Sequence, residues 1–127
     1  MSILATIFTL LVAAEHVYIL VLEMFQWTEK RTRKIFGVSA ELAEQTKTLA
    51  ANQGLYNGFL AAGLIWALLI RDTGWARNVA AFFLICVAVA GVFGAATVST
   101  SILYVQTVPA VAALALLYLG TRRSAST

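Results

Sequence analysis

Long apolar runs separated by short polar segments dominate this chain. They extend roughly from Ser2 to Phe25, Ala50 to Ile70, Asn78 to Val98 and Ser101 to Leu119. A helix needs about 20 apolar residues to cross the hydrocarbon core of a bilayer, so each run is expected to span it. The link Arg71-Asp72-Thr73-Gly74 is a short polar turn, and Ser99-Thr100 is tighter still. The last two helices are therefore expected to form an antiparallel hairpin. The link from Thr28 to Leu49 is the long one. Within it Ser39 is placed to cap a helix, with Glu41 and Glu44 near its positive end. No Gly or Pro interrupts 40–52, so this helix is expected to run on into the second span. Leu42, Leu49 and Tyr56, spaced by seven, predict an apolar stripe against the bundle. The expected fold is all-α: an integral membrane four-helix bundle with an additional amphipathic helical segment between the first and second spans. It forms a single multi-pass domain over 1–127 with a disordered tail at 124–127.

Aromatic residues mark the span ends. Trp27 follows the first run, Trp66 nears the end of the second, and Trp75 precedes the third. Tyr104 and Tyr118 bracket the fourth. Such amphipathic rings favour the membrane interface. Composition agrees with lipid as the main solvent. Hydrophobic residues make up 61% and charged residues 12% of the chain, and mean hydropathy is +0.84. A soluble domain carries about a quarter charged residues.

The net charge of +3 does not point to nucleic acid. Most basic residues sit between or beyond the spans, as in Lys30, Arg31, Arg33, Lys34 and Arg122-Arg123, where they meet headgroups. With four spans the termini share a side, and Arg71, Arg77, Arg122 and Arg123 then oppose Lys30, Arg31, Arg33, Lys34 and Lys47. That near-balance sets no orientation. Cys86 stands alone, so no internal disulfide forms. The first run lacks a Lys/Arg-rich start and contains Glu15 and His16, so it reads as a retained span.

Charged and amide side chains inside spans are costly, which makes them candidates for function. Glu15, His16 and Glu23 fall within an arc of about 100° on the first helix. Asn52, Gln53, Tyr56 and Asn57 fall within about 140° on the second. Gly54 and Gly58 are placed on its other side, for close helix approach. Gln106 lies three residues before Pro109 on the fourth, and that Pro frees a carbonyl near Val105. Gly91 and Gly94 on the third read as a packing surface. Counting 1.5 Å per residue, Glu23, Gln53, Asn57, Gln106, His16 and Glu15 all fall in one half of the bilayer. The sequence therefore predicts one polar pocket beneath the 28–49 link, with Tyr18 and Tyr56 as aromatic walls. The link is suited to act as its lid or gate. One His and two carboxylates could serve a metal, but no second His supports one, and neither a metal nor a cofactor is expected.

Two stretches carry a family likeness. Glu15-His16-Val17-Tyr18-Ile19-Leu20-Val21-Leu22-Glu23-Met24-Phe25 and Ala51-Asn52-Gln53-Gly54-Leu55-Tyr56-Asn57-Gly58-Phe59-Leu60-Ala61 resemble signatures of the domain of unknown function 1304 family. Gln106-Thr107-Val108-Pro109-Ala110 resembles a third. The resemblance implies a short four-helix bacterial membrane protein and supplies no substrate.

The functional expectation is binding or transport of a small molecule, possible proton linkage included, at Glu15, His16, Tyr18, Glu23, Asn52, Gln53, Tyr56, Asn57 and Gln106. Its partners are the lipid bilayer and a second copy of the chain, its place the bacterial inner membrane. An enzyme doing proton transfer on a lipophilic substrate, such as an isomerase or a quinone-linked enzyme, is the rival reading. A non-catalytic partner subunit is the third.

Overall fold

In a computed structural model, the backbone of residues 1–125 and the side chains as far as Arg122 are described. The tail expected over 124–127 lies outside the residues described in full. The fold is all-α: α1 (Ile3–Phe25), α2 (Lys30–Phe36), α3 (Ala40–Gln45), α4 (Lys47–Leu69), α5 (Thr73–Thr97), then a π-helical turn Leu103–Thr107 leading into α6 (Val108–Ala125). Among the described residues three stretches are long and apolar enough to cross a membrane, Ile3–Phe25, Thr73–Thr97 and Leu103–Arg122. At 23 residues α4 has the same length as α1. Asn52, Gln53 and Asn57 dilute its apolar content, and it is not among the three.

The chain packs as two compact units, Met1–Ala13 with Ala62–Thr127, and Ala14–Ala61. In the first, α5 begins five residues before the expected Asn78. Asp72 is the reason: its Oδ1 accepts from the Trp75 amide at 2.8 Å and caps the helix. The polar turn 71–74 is thus largely the start of α5. The helix ends where the Val98 and Ser99 amides both reach the Gly94 carbonyl, at 2.8 and 3.1 Å. Beyond the turn the chain returns antiparallel, so the expected hairpin forms. Gly91 lies against Thr107, whose Oγ1 a methyl there would strike, and Gly94 lies against Ile102. Thr107 Oγ1 donates to the Ala88 carbonyl at 3.4 Å. A methyl at Gly63 would likewise strike the Phe83 ring. Small residues let these backbones approach, the usual way of packing helices without a hydrophobic driving force. Leu64, Leu84, Val87, Ala110 and Ala113 are fully buried.

The π turn has a local cause. Pro109 has no N–H, and its ring collides with the carbonyl of Val105 in a regular α-helix. Over Leu103–Thr107 the helix widens, and the Val108 amide bonds the Leu103 carbonyl five residues back. That wider turn relieves the carbonyl ahead of the proline.

The second unit holds the end of α1, the long link and the start of α4. The link contains one more helix than the sequence reading anticipated. The basic run Lys30–Lys34 lies in α2, which Gly37 closes at φ 68°. In this left-handed conformation the Gly37 amide meets the Arg33 carbonyl, and the Val38 amide meets it at 3.0 Å. The Ser39 cap forms as expected, its side chain accepting from the Leu42 amide at 3.1 Å.

The continuous helix expected over 40–52 does not form. It breaks at Thr46, which separates α3 from α4. Thr46 Oγ1 donates to the Leu42 carbonyl at 2.7 Å and accepts from Trp27 Nε1 at 3.0 Å. Such back-bonding bends helices. The seven-residue stripe is lost with it: Leu42 and Leu49 border a cavity, while Tyr56 is 54% exposed.

Candidate functional site

In the second unit α1 and α4 lie antiparallel and close. A methyl on Gly58 would come within 2.6 Å of Leu20 Cδ1, and one on Gly54 within 2.6 Å of Met24 Cγ and 3.2 Å of the Leu20 carbonyl. The glycine face therefore serves for close approach, as its composition predicts. It is not opposite the polar residues, however. Asn57 sits about 60° from Gly54 on α4, and it too meets α1. Its Nδ2 donates to Glu23 Oε1 at 2.6 Å and reaches the Gln53 carbonyl at 3.2 Å. Glu23 is 8% exposed.

Glu23 also borders a partly open cavity of about 230 Å³. Trp27 joins it from the turn after α1, and Val38, Leu42 and Thr46 line it from the link. Leu49, Ala50 and Gln53 line it from α4. Every lining residue but Glu23 is uncharged. Trp27 is held from two sides, by its hydrogen bond to Thr46 and by an edge-on contact with Phe36 at 5.0 Å. The surface it presents is almost wholly apolar, although Glu23, Thr46 and Gln53 are among the residues that border it. It lies under the 28–49 link.

The structure brings some of the anticipated site residues together and separates others. Glu23, Gln53 and Asn57 form one group. Asn52 and Tyr56 lie outside it: neither borders the cavity, and Tyr56 packs edge-on to Phe59 at 5.9 Å. The arc of about 140° drawn for the four polar residues of α4 thus splits, because α1 covers only one edge of it. Tyr18 turns to the link, where its hydroxyl accepts from Arg31 Nη2 at 3.0 Å. His16 is buried and shares the helix face of Leu20 and Glu23. Glu15 is half-buried, and its Oε1 has no hydrogen-bond partner among the described residues. Gln106 belongs to the other unit, in the π turn, with its Cβ 3.3 Å from a methyl placed on Gly91.

Sequence reasoning left Thr46, Leu49 and Ala50 out of the site and took Trp27 only as an interface anchor. The signal was present. Thr46, Leu49, Ala50 and Gln53 follow the i, i+3, i+4, i+7 pattern of one helix face, and Glu23 and Trp27 are four apart.

The family model described as "Protein of unknown function (DUF1304)" matches residues 10–118. The chain belongs to this family. A relative, "Uncharacterized protein YpaA" of Lactococcus lactis subsp. lactis (strain IL1403), is 34% identical over 108 residues. The match covers 84% of this chain and 89% of the relative. No solved structure matches. The matched range takes in Glu23, the link, Gln53 and Asn57, so the cavity lies wholly within the part of the chain that defines the family.

Proposed function

We propose that this family member is a membrane protein of four spans that binds a small molecule in the cavity beside Glu23. The observation that carries this reading is the Asn57–Glu23 hydrogen bond at the cavity wall. A carboxylate so deeply buried is expensive. Asn57 holds it beside a cavity whose surface is almost wholly apolar. Pockets with few placed polar groups in an apolar lining are the common form of small-molecule sites. Ala50 is 4% exposed, so Ala50→Phe places a ring in the cavity. Native mass spectrometry of protein purified with its lipids gives the test. A small-molecule adduct present on the wild type and lost from Ala50→Phe supports the site, and identical adduct patterns refute it.

The fourth span in this reading is α4. Its length suits a crossing, and Asn57 is partly sheltered from lipid by its hydrogen bond to Glu23 of α1. Single cysteines at Thr28 and Arg71 in a Cys86→Ser background check it. Labelling from opposite sides of the membrane supports four spans, and labelling from the same side leaves α4 uncrossed. Transport by so short a chain calls for a second copy, and a proton could accompany the solute through Glu15 and His16.

A further inference from the structure

We infer that the cavity receives one acyl chain of an anionic membrane phospholipid, with the lipid's phosphate at the basic residues of α2; this rests on the small-molecule reading of the same cavity. The cavity surface is almost wholly apolar, with Val38, Leu42, Leu49 and Ala50 among its walls. Water held there lacks the polar partners that an ordered water needs. A polar or charged occupant gives up its hydration without compensation. Glu23 adds little polar surface, and its Oε1 accepts from Asn57 at 2.6 Å. Left empty, the cavity forfeits dispersion contacts along its walls. A hydrocarbon chain restores them and gives up no hydrogen bond. A cavity of about 230 Å³ holds about eight groups of water size at roughly 30 Å³ each. A methylene is of that size, so the cavity takes a stretch of acyl chain and leaves the rest of the lipid outside. Its partly open form agrees with that.

The position of α2 decides the headgroup. The chain leaves the cavity wall at Trp27 and returns to it at Val38, and α2 is the excursion between them. Phe36 in its last turn packs edge-on to Trp27 at 5.0 Å, which holds α2 against the wall. Its seven residues make a helix about 10 Å long, so its side chains lie within a headgroup's reach of the cavity. Four of the seven are basic and none is acidic. Lys30, Arg31 and Lys34 are exposed, as are the apolar Ile35 and Phe36. Cationic and apolar side chains exposed together are the composition of a segment lying at headgroup level. The acidic residues of the link stand to either side: Glu29 precedes α2, and Glu41 and Glu44 belong to α3. Leu42 and Leu49 border the cavity and are themselves exposed, an apolar rim that favours entry from lipid. An anionic headgroup is drawn to α2, while a zwitterionic one brings its own cation against Lys and Arg.

The test uses the full chain in phosphatidylcholine nanodiscs, with Trp66→Phe and Trp75→Phe leaving Trp27 as the emitting indole. Phosphatidylglycerol with brominated acyl chains, a contact quencher of indole, replaces part of the lipid in rising proportion. Brominated phosphatidylcholine is the reference. The brominated phosphatidylglycerol is expected to reach half-maximal quenching at a mole fraction lower by about fivefold or more. Ala50→Phe fills the cavity and is expected to erase this difference. Lys30→Gln with Lys34→Gln, both at exposed positions, spares the cavity and is expected to cut the difference at least by half. Equal quenching by the two lipids, or a difference that survives Ala50→Phe, overturns the bound lipid. A difference untouched by the double lysine variant overturns the headgroup contact with α2. In each of these cases the small-molecule reading stands while Ala50→Phe still removes the adduct in native mass spectrometry. If the adducts survive Ala50→Phe, the site itself fails.

Discussion

A methyl group at Gly54 measures how tightly α1 and α4 are drawn together. Built on the backbone, it lies 2.6 Å from Met24 Cγ, 3.1 Å from Glu23 Cβ and 3.2 Å from the Leu20 carbonyl oxygen. Ordinary carbon contacts are about 3.5–4.0 Å. Met24 can rotate away, but the Leu20 carbonyl and Glu23 Cβ are fixed to the α1 backbone, so the helices must part by several tenths of an ångström. Overpacking of this kind costs about 1–3 kcal/mol, and the better helix propensity of Ala returns up to about 1 kcal/mol. The net expectation for Gly54→Ala is a loss of about 0–2 kcal/mol, centred near 1 kcal/mol. Gly58→Ala is the internal control. It meets only the Leu20 side chain, with Cδ1 at 2.6 Å. A rotamer change there costs about 0.5–1.5 kcal/mol and is nearly offset by propensity. Unfolding in mixed micelles of increasing dodecyl sulfate fraction, followed by far-UV circular dichroism, gives both values. Equal stability of the two variants, or a Gly54→Ala protein more stable than wild type, refutes the close approach.

Other expectations follow from single contacts. Asn57→Ala strips Glu23 of its buried donor and is expected to cost about 1–3 kcal/mol. In a double-mutant cycle with Glu23→Leu a positive coupling should appear, and strict additivity counts against the bond. Gly37→Ala meets nothing within 4 Å, so its expected cost of about 1–2 kcal/mol comes from the left-handed backbone alone. A neutral result in the same unfolding assay would count against that conformation. Thr46→Val removes the acceptor from the Trp27 indole. Trp27 emission should shift, and the α3–α4 break should straighten; an unchanged spectrum argues against the Trp27–Thr46 contact. Gly91→Ala forces a methyl onto Thr107 and is expected to destabilise the α5–α6 hairpin by about 1–3 kcal/mol.

What the sequence disclosed is uneven for physical reasons. Helix existence and the tight turns are local matters, written in apolar runs, Gly and Ser-Thr, and the α5–α6 hairpin follows from them. The faces that meet are not local. The amphipathic arc on α4 says which residues are polar, but only the position of α1 divides Asn57, against Glu23, from Asn52 and Tyr56. Helix boundaries moved wherever a side chain competes with the backbone. Asp72 pulled α5 forward by capping it, and Thr46 split a helix that shows no Gly or Pro. Helix α2 hid behind its charges, since Lys30–Lys34 reads as a headgroup-facing stretch, and Gly37 was its one clear signal. The cavity was foreseeable as a position beneath the long link. Part of its lining was not, because Val38 and Leu42 reach it only through the fold of that link.

The π turn carries a consequence for sequence alignment and for engineering. A five-residue turn is an α-helix with one residue too many, so Ile102 and Thr107, about 140° apart on a regular helix, both come to face α5 at Gly94 and Gly91. Removing one residue between them is therefore the deletion this chain should absorb best, provided Pro109 is exchanged in the same step. The same deletion elsewhere in α6 shifts every downstream side chain by about 100° and sends the wrong face toward α5.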